Sequence, residues 1–151
     1  MGWALYDSKS APDVFDIVWC RWPYTAAKLQ PSDEARPVLV IDVRDQIYDP
    51  TEQIYADITV AYGTGAENIT VADWRSHLLI NKAEFRAAGL HKPTVFKLDL
   101  KNRKRLPWGE KYFVPNEYVR EQKIICGKLS EAQRSAALSC FVAQNLSFPL
   151  P

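Results

Sequence analysis

Residues 36–43 read Arg36-Pro37-Val38-Leu39-Val40-Ile41-Asp42-Val43. A β-branched apolar run with no alternation is the pattern of a strand buried on both faces. Proline has no N–H for a ladder, so Pro37 belongs at the strand's first residue. Arg36 then stands at the rim of an apolar sheet, where its guanidinium must reach solvent, a carboxylate or a phosphate. Asp33 and Glu34 are carboxylates close by in sequence. Upstream, Val14–Trp19 (VFDIVW) reads as the opening strand, and residues 21–35 (RWPYTAAKLQPSDEA) as a long loop. Loops of that length are uncommon unless functional or mobile.

Downstream, Gln53–Ala61 alternates, with Ile54, Ala56, Ile58 and Val60 on one face. That is a third strand, closed by Tyr62-Gly63-Thr64-Gly65. Trp74–Ile80 reads as a fourth strand and Pro93–Leu100 as a fifth. Between them, Asn81-Lys82-Ala83-Glu84 fits a helix cap with an acid three residues on, and Gly89 a C-terminal glycine, predicting a two-turn inserted helix. Arg103–Pro115 is turn-rich, and Glu121–Cys126 is a further short strand. Ser130-Glu131-Ala132-Gln133 is a second capping box. It opens a helix to about Asn145, with Ala132, Ala136, Ala137, Phe141 and Val142 at helical spacing. Strands joined mostly by loops favour antiparallel pairing, so the fold expected is mainly β with α: a small curled β-barrel carrying a short inserted helix and a C-terminal helix.

The length of 151 residues fits one domain, 1–151, with its core in about 14–146. At 47% hydrophobic and 25% charged the composition is that of a globular chain, which excludes disorder and collagen-like repeats. No apolar run approaches a membrane span, and MGWALYDSKS lacks the charge-then-apolar order of a signal peptide. The expected location is the cytoplasm, away from membranes. Cys20, Cys126 and Cys140 are odd in number and widely spaced, which argues against disulfides and zinc. With His77 and His91 alone, no histidine-rich metal site is expected, nor any cofactor.

The net charge of +1 implies no polyanionic partner by itself. From His91 to Lys111, however, seven Lys/Arg stand against Asp99 and Glu110. A local basic surface points to phosphate, or to a solvated hairpin guarding a sheet edge. Lys101, Arg103, Lys104 and Arg105 are its densest part. Gly63 and Gly65 allow close backbone approach beside the Thr64 hydroxyl, as a phosphate cradle or a plain tight turn. His77 is a titratable ring in a strand, structural or catalytic. Trp22 and Tyr24, beside Arg21 in the long loop, suit base stacking or packing over the barrel mouth.

The order of these pieces resembles the MazF/PemK (Kid) toxins of bacterial toxin–antitoxin systems, specifically a divergent PemK-like branch. Asp16-Ile17-Val18-Trp19 is similar to the family's opening strand, and Arg36-Pro37-Val38-Leu39-Val40-Ile41 is the most specific match. Val60-Ala61-Tyr62-Gly63-Thr64, Ser76-His77-Leu78-Leu79-Ile80 and Thr94-Val95-Phe96-Lys97-Leu98-Asp99 resemble later strands, and Gly127–Ser130 the start of the closing helix. Phe15 stands where the family usually has glycine, the Glu-Gln element of the first loop is replaced by QPSDEA, and residues 106–125 look inserted.

The resemblance implies an SH3-like barrel, a homodimer, and metal-independent endoribonuclease activity on single-stranded RNA. Cleavage would leave 2′,3′-cyclic phosphate and 5′-hydroxyl ends, and an antitoxin would restrain a growth-inhibiting toxin. It also implies that Arg36 and Thr64 hold the catalytic positions, with His77 as a third candidate. Arg21, Trp22, Tyr24, Gly63, Gly65, Lys101, Arg103, Lys104 and Arg105 are the expected RNA contacts. A non-catalytic SH3-like module binding protein or nucleic acid is the alternative, because a fold does not fix a function.

Overall fold

The two-sided burial expected of residues 36–43 is met at 38–41, where the sheet carries an apolar layer on each face, while Pro37, expected as the strand's first residue, stands second after Arg36. The computed structural model describes residues 3–24, 30–47, 54–116, 120 and 123–145. Within them one antiparallel sheet holds β1 (Asp16–Cys20), β2 (Arg36–Ile47), β3 (Ile54–Gly65), β4 (His77–Ile80), β5 (Thr94–Lys97), β6 (Arg103–Pro107) and β7 (Ile125–Lys128). The helix α1 (Glu131–Ala143) follows. The order is β4-β5-β3-β2-β1-β7, with β6 also paired to β3.

β3 organises the curl. One edge runs beside β2 from Ile54 to Tyr62, while the other is divided between β6, opposite Asp57–Ala61, and β5, opposite Gly63–Gly65. The register of β2 shifts between Val40 and Asp42. Such a bulge bends a strand and raises its twist. Among the described residues β4 and β7 end the sheet unpaired with each other, so the result is a curled half-barrel.

Side chains alternate across this sheet into two layers. Ile17, Leu39, Ile41, Ala61 and Phe96 meet Ala137 and Phe141 of α1 on one side. Val18, Val38, Val40, Ile58 and Val60 pack on the other with Trp22, Leu106, Trp108 and Phe113. Full burial of each such aliphatic or phenylalanine side chain stabilises the fold by about 1.5–3 kcal/mol.

Several expectations are corrected. β3 does not turn at Tyr62 but continues to Gly65, because β5 takes over its edge there. β1 begins at Asp16, and Val14 is exposed. β4 begins at His77, after a turn that leaves Trp74 73% exposed. The stretch expected to be turn-rich contains β6, and Leu106, Trp108 and Phe113 place part of it in the core. The calls on Gln53 and Glu121 fall outside the described residues.

The inserted helix is a series of turns. Phe85 and Ala88 N–H donate four residues back, to the carbonyls of Asn81 and Glu84, but Gly89 N–H donates three back and Leu90 N–H five back. Mixed spacing of this kind is no α-helical ladder. Gly89 closes it at φ +84, as a C-terminal glycine should. The segment is pressed backbone to backbone on β7. A Cβ on Gly89 would meet the Cys126 carbonyl, and one on Gly127 the Ala88 carbonyl.

The capping box of α1 forms as expected. Gln133 N–H donates to Ser130 Oγ at 3.2 Å, and Ser130 N–H to Gln133 Oε1 at 2.8 Å. The buried face is Gln133, Ala137, Cys140 and Phe141, turned from the expected stripe, and Val142 is 73% exposed. Among the described residues no helix is long and apolar enough to cross a membrane.

Candidate functional site

Arg36 opens β2 and Thr64 stands one residue before the end of β3. Val38 pairs with Tyr62 in the β2–β3 ladder, which carries Arg36 towards the C-terminal end of β3. Arg36 and Thr64 line one cavity of about 340 Å³, together with Trp19, Asn68, His91 and Lys92. Glu34 brings one carboxylate to the same wall.

The guanidinium is held by neutral groups. Nη1 donates to the Tyr62 hydroxyl at 2.8 Å and to the Gly63 carbonyl at 3.2 Å. Its carbon lies 4.8 Å from the centre of the Tyr62 ring and 5.5 Å from that of Tyr24. Neither Asp33 nor Glu34 pairs with it among the described residues, so the positive charge is oriented without being neutralised. A planar guanidinium in such a place can present its remaining donors to an anionic group. The Tyr24 and Tyr62 hydroxyls lie 3.1 Å apart. Although the Tyr24 ring is 55% exposed, its phenol is pushed up to about 12, by desolvation first and then by the hydrogen bond with Tyr62. Tyr24 therefore stays protonated at neutral pH, and either hydroxyl of the pair can donate to the other.

Thr64 Oγ1 accepts from Asn68 Nδ2 at 3.0 Å. That bond uses a lone pair and leaves the hydroxyl proton for an outgoing bond. Gly63 and Gly65 both lie in the β3–β5 ladder, and neither has a positive φ. Gly63 is required because a Cβ would run into the Pro37 carbonyl and stand 2.8 Å from the Phe96 ring. Its contribution to the cavity is the carbonyl that anchors Arg36.

His77 is not brought to this cavity. It lines a separate one of about 580 Å³ with Asp73, Lys97, Asp99, Lys101 and Gln144. Its Nδ1 accepts from the Asp73 N–H at 3.0 Å, which places the proton of the neutral ring on Nε2 and gives the residue a structural task.

The expected RNA contacts are dispersed, because β6 sends alternate side chains to opposite faces. Arg103 turns inward. Its Nε and Nη2 donate to the Leu98 carbonyl at 3.3 and 2.8 Å, and its carbon lies 4.8 Å from the Phe141 ring centre. Burial pulls its pKa down. Lys104 reaches over the Trp22 ring at 5.9 Å, Arg105 pairs with Asp57 at 3.1 Å, and Lys101 faces the His77 cavity. Trp22 is 4% exposed and packs edge-on to Tyr62 at 5.1 Å, so it supports the site from below and cannot stack on a base. Arg21 lines a small neighbouring cavity with Asp33, Glu34 and Asn116, and its Nε is buried without a partner.

Two cavity residues, His91 and Lys92, were not among the expected site residues, Lys92 counting only within the basic run after His91. His91 stacks on Trp19, with ring centres 5.9 Å apart and planes at 28°. Lys92 pairs with Glu67 at 2.7 Å and draws its carboxyl below the usual range. Both precede β5, and the pairing of Gly65 with Thr94 is what sets them beside Thr64. The useful signal is Pro93, one residue before β5, which is shorter at both ends than the expected Pro93–Leu100, but it helps only with the register known. Among the described residues no three His, Cys, Asp or Glu side chains converge at metal-binding distance. Compared with protein-family models, with curated proteins and with solved structures, the chain matches none.

Proposed function

We propose that this chain is a MazF/PemK-like endoribonuclease that cleaves single-stranded RNA without a metal. The observation that carries the reading is the meeting of Arg36 and Thr64, from two different strands, in one open cavity. In the reaction the RNA 2′-hydroxyl attacks the adjacent phosphorus and the 5′-oxygen leaves with a proton, giving a 2′,3′-cyclic phosphate and a 5′-hydroxyl. Charge grows on the non-bridging oxygens, where a guanidinium pre-aimed by Tyr62 and Gly63 stabilises it. The Thr64 proton fixes the phosphate in line for attack.

A second feature supports the family reading. Phe15, at the position where the resemblance calls for glycine, has φ +72. The backbone there takes the conformation that glycine adopts freely. On this reading the curled sheet is an SH3-like barrel, the working form is a homodimer, and an antitoxin covers the Arg36 cleft.

The test is cleavage of a long single-stranded RNA by purified protein in EDTA, beside Arg36→Ala. Loss of one preorganised donor in such a site costs about 10²–10³ in rate. The wild type is expected to cut to cyclic phosphate ends and the variant to fall by at least that factor, with an unchanged melting temperature. Equal cutting by both would refute the role of Arg36. RNA binding without cleavage by the wild type would favour the binding-module reading.

A further inference from the structure

On the far side of the Trp19–His91 stack lies a second, larger groove of about 820 Å³. It shares Trp19 and His91 with the Arg36 cavity, so the two are neighbours across one pair of rings. Arg86, Arg120, Lys123 and Lys128 line it, with Asp16 as the only acid among its lining residues. The cations come from three places in sequence: Arg86 in the turn segment before Gly89, Arg120 and Lys123 between β6 and β7, and Lys128 in β7. The fold, rather than a local run of charge, collects them.

Trp19 is 2% exposed while His91 above it is exposed, so the ridge between the cavities presents an imidazole face backed by an indole. Such a ring is a platform for a base, and cations lining the groove beside it suit the phosphates of the same strand. We infer that this groove binds the part of a single-stranded RNA that flanks the cleaved phosphate, the strand crossing His91 between the two cavities. The inference rests on the proposed function and names residues that the sequence left unassigned. It also replaces the Lys101–Arg105 run as the source of phosphate affinity. The close approach of Gly89 and Gly127, both lining residues, brings the turn segment that carries Arg86 together with the strand that carries Lys128 at the groove.

The experiment measures binding of randomised, fully 2′-O-methylated RNA pools, which cannot be cut, at two lengths: 4 and 12 nucleotides as design choices, about one and several groove-spanning phosphates. Wild type, Arg86→Glu/Lys128→Glu and Arg36→Ala are compared, each checked by its melting temperature. An Arg86→Ala/Lys128→Ala pair stands in if charge reversal unfolds the protein. Wild type is expected to hold the longer pool about tenfold or more tighter, since several added phosphate contacts act together. The double reversal should erase that gain, leave the shorter pool within about twofold, and lower the log–log salt slope by about 1.4, at 0.7 per cation for single strands. Arg36→Ala should weaken both lengths alike.

A double variant that keeps the gain with length overturns the inference. So does a wild type indifferent to length, which would mean that the groove takes something other than RNA, such as an acidic peptide. If the wild type binds neither pool, the RNA reading of the Arg36 cavity fails and takes this inference with it. If it binds both equally, only the groove assignment fails.

Discussion

Phe15 shows how a single residue can oppose its own backbone and still be worth its place. Its φ of +72 costs about 1–2 kcal/mol for a side chain with a Cβ. Yet its ring is 7% exposed within the layer under α1, its N–H donates to the Val40 carbonyl at 2.7 Å, and its carbonyl accepts from Leu129 at 3.0 Å. Deleting a buried phenylalanine ring costs about 3–5 kcal/mol. Burial therefore outweighs strain, and Phe15→Gly is expected to lower stability by about 2 kcal/mol although it restores the residue that best suits the backbone. Urea unfolding of the two proteins checks the sign, and a more stable glycine variant would show that the ring is poorly packed. Arg36 illustrates the complementary case. Two neutral acceptors and two ring faces orient it without cancelling its charge, whereas a carboxylate in their place would have neutralised it.

Among the elements, the contact between the turn segment at residues 81–90 and β7 is the least tolerant. Gly89 and Gly127 face each other with backbone on backbone, and a methyl on Gly127 would collide with the Ala88 carbonyl. Carbonyls in a pinned turn have little room to move, so Gly127→Ala is expected to cost about 2–4 kcal/mol, at the high end for a point substitution. Its effect should spread to the groove by separating Lys128 from Arg86, and weaker binding of long RNA is the second readout. Ala83→Ser, exposed on the same segment but outside the groove, should be neutral in both. This contact also marks the limit of what could be read from residues alone. The strand at residues 36–43 was legible because its apolar run admits one interpretation, and the α1 cap because its residues are adjacent in sequence. β6 was hidden, since Arg103-Lys104-Arg105-Leu106-Pro107 offers a single apolar side chain and gains its place only by pairing with β3. Arg36 and Thr64 were legible as a pair through resemblance alone. The exchange of His77 for His91 in the cavity was not legible. It depends on the register of β5 against β3, which no local pattern encodes.

At the scale of the whole molecule, the two apolar layers set the response to pH. Burial raises the thiols of all three cysteines, most for Cys20 and to about 12 for Cys126, from an ordinary 9.0. It raises the phenols of Tyr6 and Tyr24 from 10.0 in the same direction. In each case the unfolded chain releases its proton first. The stability tied to these groups is complete below the unfolded value and is lost as pH climbs towards the folded one. On the acid side Glu67 is drawn down by Lys92, and Asp73 by the Arg75 N–H and then the Ser76 hydroxyl. Their contribution fades as pH falls through the carboxylate range. Both are solvated, and Asp16, raised by burial, acts against them. The stability curve should therefore be lopsided, level from about pH 6 to 8.5, shallow on the acid side and steep above pH 9, where each thiol held well above its unfolded value costs about 1.4 kcal/mol per pH unit. Urea unfolding between pH 8 and 11 on wild type and Cys126→Ala tests the cause. Removing one raised thiol should make the alkaline decline shallower by about one proton's worth, and parallel declines would mean that Cys126 titrates as freely in the folded protein as in the unfolded chain.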